Sequence, residues 1–377
     1  MSIQIKTVES KKDLKKFVKF PFKIFKGNKY WVPQLINDEM EIFNSKKNPA
    51  YETANSKLFL AYKDGELVGR IAGINSIIAN QKYGTKNIRF GWFDSIDDQD
   101  VADALISSVE EWAKEQGLNT ITGPHGFSDL DPEGMLYEGF DKLPTIAVYY
   151  NHPYYIKLME TNGMKKEIDW IEFNANIIPM EEMPQKLLKI AERLKERSKI
   201  RIVKFKSRKD LIKNWAEEIF EVVDEAFEEL YGTVPLSKIQ VNYYIKKYLA
   251  FVEKDLVITT VDENDKVAGF FLALPSLSRA LQKAKGRLLP FGWFHLLRAL
   301  KQRDRMDLYL AGIRKSQRGK GVDLMLLLEL ARVANELGFK IVESNPELED
   351  NTRIHGQWKY FKHELVKKRR LFKKDIK

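Results

Sequence analysis

The sequence predicts an α/β (α+β) fold made of two tandem domains, each a central mixed, twisted sheet flanked by helices. Three observations predict it. The 377 residues exceed what one hydrophobic core ordinarily holds. Short runs with alternating apolar residues interleave with longer runs of helical spacing. The order of these runs occurs twice along the chain.

The first copy opens with "LFLAYKDGELVGRIAGI" (58–74), two alternating runs around Asp64-Gly65, the pattern of a tight hairpin. "NIRFGWFD" (87–94) reads as a strand. "DVADALISSVEEWAKEQG" (100–117) has apolar residues at helical spacing and a glycine stop, and "LNTITG" supplies the next strand. The second copy runs "LVITTVDENDKVAGFFLAL" (256–274), a hairpin with a longer turn, then the strand "MDLYLAGI" (306–313). The helix "VDLMLLLELARVANELG" (322–338) and the strand "FKIVESN" complete it. Gly69 and Gly269 lie 200 positions apart and Gly117 and Gly338 lie 221 apart, so the second copy holds 21 additional residues. They fall in the basic, aromatic segment 275–305. It reads as a helical hairpin over a sheet edge, or alternatively as a lid or membrane-surface contact. The prolines of "IIPMEEMPQ" (177–185) mark a linker, dividing the chain into 1–180 and 181–377, and the helix "KLLKIAERLKERSK" follows it. The tail "KHELVKKRRLFKKDIK" reads as a solvated basic extension.

Composition narrows the chemistry. The chain has no cysteine, which excludes disulfides, thiolate metal sites and cysteine nucleophiles. Five histidines with no HxxxH pair argue against a metal centre. No apolar run reaches the length of a membrane span, and the start of the sequence lacks a signal-peptide core, so a cytoplasmic location is expected. The formal charge is +10, from 63 basic and 53 acidic residues, which favours anionic partners. The bases are interspersed with acids, and no nucleic-acid-binding motif is present.

The stretch "RKSQRGKGVD" (314–323) joins a strand to a helix. A glycine-containing turn there points backbone N–H groups at one spot, and the helix dipole favours an anion in that place. Gly319 and Gly321 allow close approach, and Arg318 and Lys320 add charge. The corresponding stretch of the first copy, "DSIDDQDVADAL" (94–105), has no glycine. Its acids Asp94, Asp97, Asp98 and Asp100 would repel a phosphate.

These elements resemble the GCN5-related N-acetyltransferase (GNAT) superfamily, in tandem and with a degenerate first half. The resemblance rests on element order and on the R/Q-x-x-G-x-G/A loop, matched by Arg318 and Gly321, with Asp323 in place of the last Gly or Ala. It implies an N-acyltransferase using acetyl-CoA or another acyl-CoA on a small-molecule or peptide amine. It also implies cofactor contacts from Ala311, Gly312, Ile313, Gln317, Arg318, Gly319, Lys320, Gly321, Val322 and Asn351. The family's usual tyrosine acid is displaced: Trp358 stands at its position, with Tyr360 one helical step off. In the first half, Asn151 and Gly163-Met164 fit the family pattern, with Met159 at the tyrosine position.

Amine acylation needs a base, a carbonyl-polarising donor and an acid. Glu343 is the candidate base and Tyr360 the candidate acid, with Asp307 and Tyr309 nearby on the strand. The loop "GPHGFSDLDPEGMLYEGFDKLPT" (123–145) gathers His125, Asp129, Asp131 and Glu133, which suit a cationic amine substrate. Two other readings stay open. One is an aminoacyl-tRNA-dependent transferase of the Fem type, with the basic charge serving tRNA. The other is a non-catalytic ligand-binding or scaffold protein of the same fold.

Overall fold

The computed structural model describes residues 2–249, 252–358 and 361–377, with backbone alone described at 195–198 and 248. The first half carries β1 (Ile3–Thr7), α1 (Lys11–Ile24), α2 (Ile36–Ile42), β2 (Ala54–Lys63), β3 (Glu66–Ser76), α3 (Ile77–Tyr83) and β4 (Asn87–Ser95). It continues with α4 (Gln99–Glu115), β5 (Thr120–Gly123), β6 (Met135–Glu138), α5 (Tyr154–Thr161) and β7 (Lys165–Asn176). The second half carries α6 (Gln185–Ser198), β8 (Arg201–Val203), α7 (Arg208–Asn214), α8 (Ala216–Phe227), α9 (Lys238–Tyr244), β9 (Val257–Val261) and β10 (Val267–Pro275). There follow α10 (Ser278–Ala284), α11 (Gly292–Ala299), β11 (Arg305–Ile313), α12 (Val322–Leu337), β12 (Ile341–Ser344), β13 (Glu347–Leu348), α13 (Thr352–Trp358) and β14 (His363–Asp375).

The repeat read from the sequence is present. β2–β3, β4, α4 and β5 have the same order and pairing as β9–β10, β11, α12 and β12: an antiparallel hairpin, a third antiparallel strand, a helix, and a parallel fourth strand. Each copy has its own core. In the first, Val101, Leu105, Ile106 and Val109 of α4 pack on Phe59, Ile71, Ile88 and Phe90 of the sheet, all buried. In the second, Val322, Met325, Leu326 and Val333 of α12 pack on Ile258, Ala268, Phe271 and Met306. The single apolar stripe of each helix meets one sheet face, as its spacing requires.

Two compact units result, and neither is a continuous stretch. One comprises Met1–Ile171, Ser278–Leu297 and Val366–Lys377; the other comprises Glu172–Leu277 and Arg298–Leu365. Residues 172–180, 278–297 and 366–377 thus fall on the other side of a cut at 180.

The basic tail is a strand, not a solvated extension. β14 pairs antiparallel with β5, from Phe372↔Gly123 to Asp375↔Thr120, and also with β6. Lys367, Arg369 and Leu371 are each fully buried on one face, the period-two alternation of a strand with long basic side chains at inward positions. Arg369 Nη1 donates to the Tyr149 carbonyl at 2.8 Å, and Arg370 meets Asp169 at 2.9 Å. The loop 123–145 is likewise partly strand, since β6 lies within it.

Candidate active site

In the second unit, β11 and β12 pair in parallel from Arg305↔Ile341 to Leu308↔Ser344 and then part. Asn345 closes the paired end: its N–H donates to Leu308 O (3.1 Å) and its Nδ2 to Tyr309 O (2.8 Å). Beyond that point Ala311, Gly312 and Ile313 pair with β10 on one side. No strand among the described residues pairs with them on the other. The register of β10 on β11 shifts between Leu272 and Ala273, leaving Tyr309 as an extra residue, and such bulges re-aim the chain beside functional sites. An extended ligand can lie along the free backbone of this edge.

The chain then enters the loop at 314–321. Gly321 leads α12 with φ +82°, a left-handed conformation that glycine adopts without penalty. The N–H groups of Gly321, Val322, Asp323 and Leu324 meet no acceptor among the described residues, as at any uncapped helix start. The basic side chains are mostly occupied. Arg314 meets Glu225 and Glu221 at 3.1 Å each, Lys315 meets Glu228 at 2.6 Å, and Arg318 meets Glu229 at 3.4 Å. Gln317 donates to Asp262 at 3.3 Å. Lys320 is exposed and has no ion-pair partner among the described residues. The glycines also serve packing. A Cβ on Gly312 would meet Phe270 at 3.0 Å and Ala226 of α8 at 3.3 Å, and one on Gly321 would meet Leu194 of α6 at 2.3 Å.

Glu343 is buried and ion-paired with Arg305, beside buried Asp307 in the register. Tyr360 lies outside the described residues. Asn351 leads into α13, its carbonyl accepting from Ile354 and its N–H donating to Leu348 O at 3.0 Å. The sequence reading did not single out Glu347. It is buried on β13, both carboxylate oxygens lie 3.1 Å from Trp358 Nε1, and His355 Nε2 is 3.7 Å away. Burial pushes its carboxyl up to about 8, against the lowering hydrogen bonds from Trp358 and Ser344. A carboxyl that titrates near neutrality is suited to proton transfer. The run "NPELEDN" gives no hint of this, because an acid-rich turn ordinarily faces water.

The first unit repeats the geometry with different chemistry. β4 and β5 pair from Asn87↔Thr120 to Arg89↔Thr122 and then part, with His125 N–H reaching Phe90 O at 2.8 Å. The bulge falls at Trp92, whose φ is +48°. This conformation is strained for a bulky residue and persists where surroundings fix it. Trp92 Nε1 donates to Glu39 at 2.9 Å, and Tyr149 donates to the same carboxylate at 2.6 Å. At the start of α4, the site matching the glycine loop is taken by Asp98. Its carboxylate accepts from the N–H groups of Asp100 and Val101 and ion-pairs with Lys63, so an internal carboxylate stands where a phosphate would bind.

The loop residues of this unit are held inward. His125 is buried, with Arg89 Nη1 and Glu133 Oε1 each 3.4 Å from its Nε2. Burial and then the Arg89 charge hold His125 well below the ordinary histidine range, and burial pushes the Glu133 carboxyl well up. Asp131 accepts from the N–H groups of Phe127 (2.9 Å) and Ser128 (3.1 Å), closing a turn. Asp129 lies in the same turn, half-buried, and its charge adds to the rise at Glu133. A cavity of about 60 Å³ opens nearby, lined by Phe25, Trp31, Trp92, Tyr149, Tyr150 and Tyr155 with Glu39, Arg70 and Asp94.

No family model matches the chain. It is 27% identical over 381 residues to Protein YghO of Escherichia coli K12, covering 99% of this chain and 95% of that protein. It is also 27% identical over 356 residues to a bacterial ceramide synthase of Caulobacter vibrioides, covering 91% and 90% respectively. Among solved structures, a tandem GNAT protein from the clavulanic acid biosynthesis pathway matches with a TM-score of 0.56 at 10% identity, over 100% of this chain and 99% of that one. A GCN5-related glucosamine N-acetyltransferase region of a fungal multi-domain β-N-acetylglucosaminidase matches with a TM-score of 0.57 at 12% identity, over 99% of this chain and 38% of that one. With two copies of a parting parallel strand pair joined through a helix, and likeness over its whole length to a tandem GNAT structure, the protein has a tandem GNAT-like fold.

Proposed function

We propose that the protein is an N-acyltransferase that moves an acyl group from an acyl-CoA thioester to an amine, with the donor held by the second unit. The observation that carries this reading is the parting of β11 from β12 beside the open N-terminus of α12. The residues fit the pyrophosphate of coenzyme A: among the described residues, four N–H groups at the start of α12 meet no acceptor and Lys320 has no ion-pair partner. In the first unit, Asp98 already fills the matching helix start. When bound, the thioester supplies an activated acyl carbonyl. The chain's own residues do the rest. The free edge of Ala311–Ile313 orients the donor and the Gly321–Leu324 N–H groups hold its phosphates, while buried acids move the protons: one takes the proton that the amine loses as the C–N bond forms, and one gives a proton to the thiolate released as the thioester C–S bond breaks. Glu343 and Glu347 are two buried acids of this unit, with Asp307 beside Glu343. Glu347, which keeps its proton up to about 8, suits donation to the departing thiolate, and Glu343, ion-paired with Arg305, suits acceptance from the amine.

For the acceptor, the relative named as a ceramide synthase supports a long-chain amino alcohol, the amine that is acylated in any ceramide. The test pairs calorimetric titration with turnover. Acetyl-CoA and palmitoyl-CoA are titrated into the wild type and into Arg318→Ala/Lys320→Glu, and CoA release is followed with a long-chain amino alcohol and with short amines. Binding weakened by the double variant, with thiol release on the lipid amine alone, is the expected result. A folded wild type that binds neither thioester overturns the donor reading. Turnover confined to short amines overturns the acceptor.

A further inference from the structure

We propose that the segment around α11 docks the protein onto the surface of an anionic phospholipid bilayer. The inference rests on this surface alone and stands apart from the acyl-transfer reading.

The root of the segment is fixed within the first unit. Ser278 Oγ donates to Pro144 O at 2.7 Å, Gln282 Nε2 donates to the carbonyls of Lys29 and Trp31 at 2.9 Å each, and Gly286 O accepts from Ile36 N–H at 3.0 Å. Past this root the side chains turn to solvent. Leu288, Leu289, Phe291, Trp293, Phe294 and Leu297 are all exposed, Leu289 by 75% and Phe291 by 71%. They are six of the eleven large apolar side chains exposed among the described residues, gathered within ten positions. That makes a patch rather than scatter. A fixed root means that the patch is presented outward, not left as a loose loop.

Charge selects the occupant. No acid occurs between Asp265 and Asp304, while Arg279, Lys283, Lys285, Arg287, Arg298 and Lys301 lie inside that interval. Lys283, Lys285 and Arg287 are exposed and, like the apolar patch, lie in the first unit. A second copy of the same patch would bring like charges together, which opposes self-association. An anionic bilayer meets both features: Leu, Phe and Trp enter the headgroup boundary, and the flanking bases meet lipid phosphates. Among the described residues no helix is long and apolar enough to cross a membrane, so the contact is with the surface.

The test uses the full chain with vesicles of phosphatidylcholine alone or mixed with phosphatidylglycerol, read by co-sedimentation and tryptophan emission. The wild type is expected to bind the mixed vesicles, about tenfold or more tighter than the neutral ones. Leu289→Glu/Phe291→Glu/Phe294→Glu is expected to lose vesicle binding with an unchanged melting curve, since all three side chains are solvent-facing. Lys283→Glu/Lys285→Glu/Arg287→Glu is expected to lose the preference for phosphatidylglycerol. A wild type that ignores both vesicles overturns the proposal, as does a triple-apolar variant that still binds. So does a wild-type dimer in analytical ultracentrifugation that this variant turns to monomer without any vesicle binding, because the patch is then a self-interface.

Discussion

Arg70 and Asp94 face each other across β3 and β4, both nearly inaccessible, with Nε to Oδ2 at 2.7 Å. Arg70 also donates to Phe17 O, and Tyr155 OH donates to the second carboxylate oxygen at 3.2 Å. Burial raises the Asp94 carboxyl in spite of the guanidinium, so desolvation outweighs the charge partner there. Removing that partner strands a charge in the core. Arg70→Ala is expected to cost about 3–5 kcal/mol in chemical denaturation, and a loss below 1 kcal/mol would show that water reaches the carboxylate. By sequence alone, Asp94 and Asp98 read as acids that repel a phosphate. Their absence of a glycine partner was legible, but not their work, which depends on Arg70 and Lys63 arriving from other strands. Glu347 was missed for the same reason. Its environment comes from Trp358 and His355 on a later helix, which local pattern does not reveal.

At the scale of elements, alternation and helical spacing located the hairpins and both long helices, since each buries one face only and a one-residue slip would expose it. They failed for β14, where Lys367 and Arg369 take inward positions. Long basic side chains bury their apolar stems, so a charge count reads such a strand as solvent. The turn from β12 into β13 carries a pH prediction. Glu347 keeps its proton in the folded protein up to about 8, whereas its ordinary value is 4.5. Between those values the folded state binds a proton that the unfolded chain has released. The group therefore favours folding at low pH, and its contribution declines as pH rises through that window, at about 1.4 kcal/mol per pH unit. Glu347→Gln keeps an acceptor for Trp358 and removes the titration. The stability of wild type minus variant, from denaturant melts, is expected to fall from pH 5 to 8 and level off above; a flat difference would place the carboxyl in water.

At the scale of the molecule, the two units are assembled from interleaved stretches of chain, and this has a consequence for dissection. Within the first unit the strand order is β1-β2-β3-β4-β5-β14-β7, so the C-terminal strand lies inside the sheet rather than at its edge. A fragment 1–180 lacks it. Such a fragment exposes the free backbone of β5 and leaves the Leu371 and Phe372 positions of the core empty, a pairing edge of the kind that aggregates. It also leaves Asp169 without Arg370. Expressed alone, 1–180 is expected to be insoluble or to lack protected amides in hydrogen exchange. Joined through a flexible linker to residues 363–377, it is expected to gain a cooperative melt, because the added strand restores the β5 ladder and the Arg370 pair together. A fragment 1–180 that melts cooperatively by itself, with β5 amides protected, would show that the first half closes its sheet without the tail. The burial of Lys367 and Arg369 would then have to be explained by something other than a need for that strand.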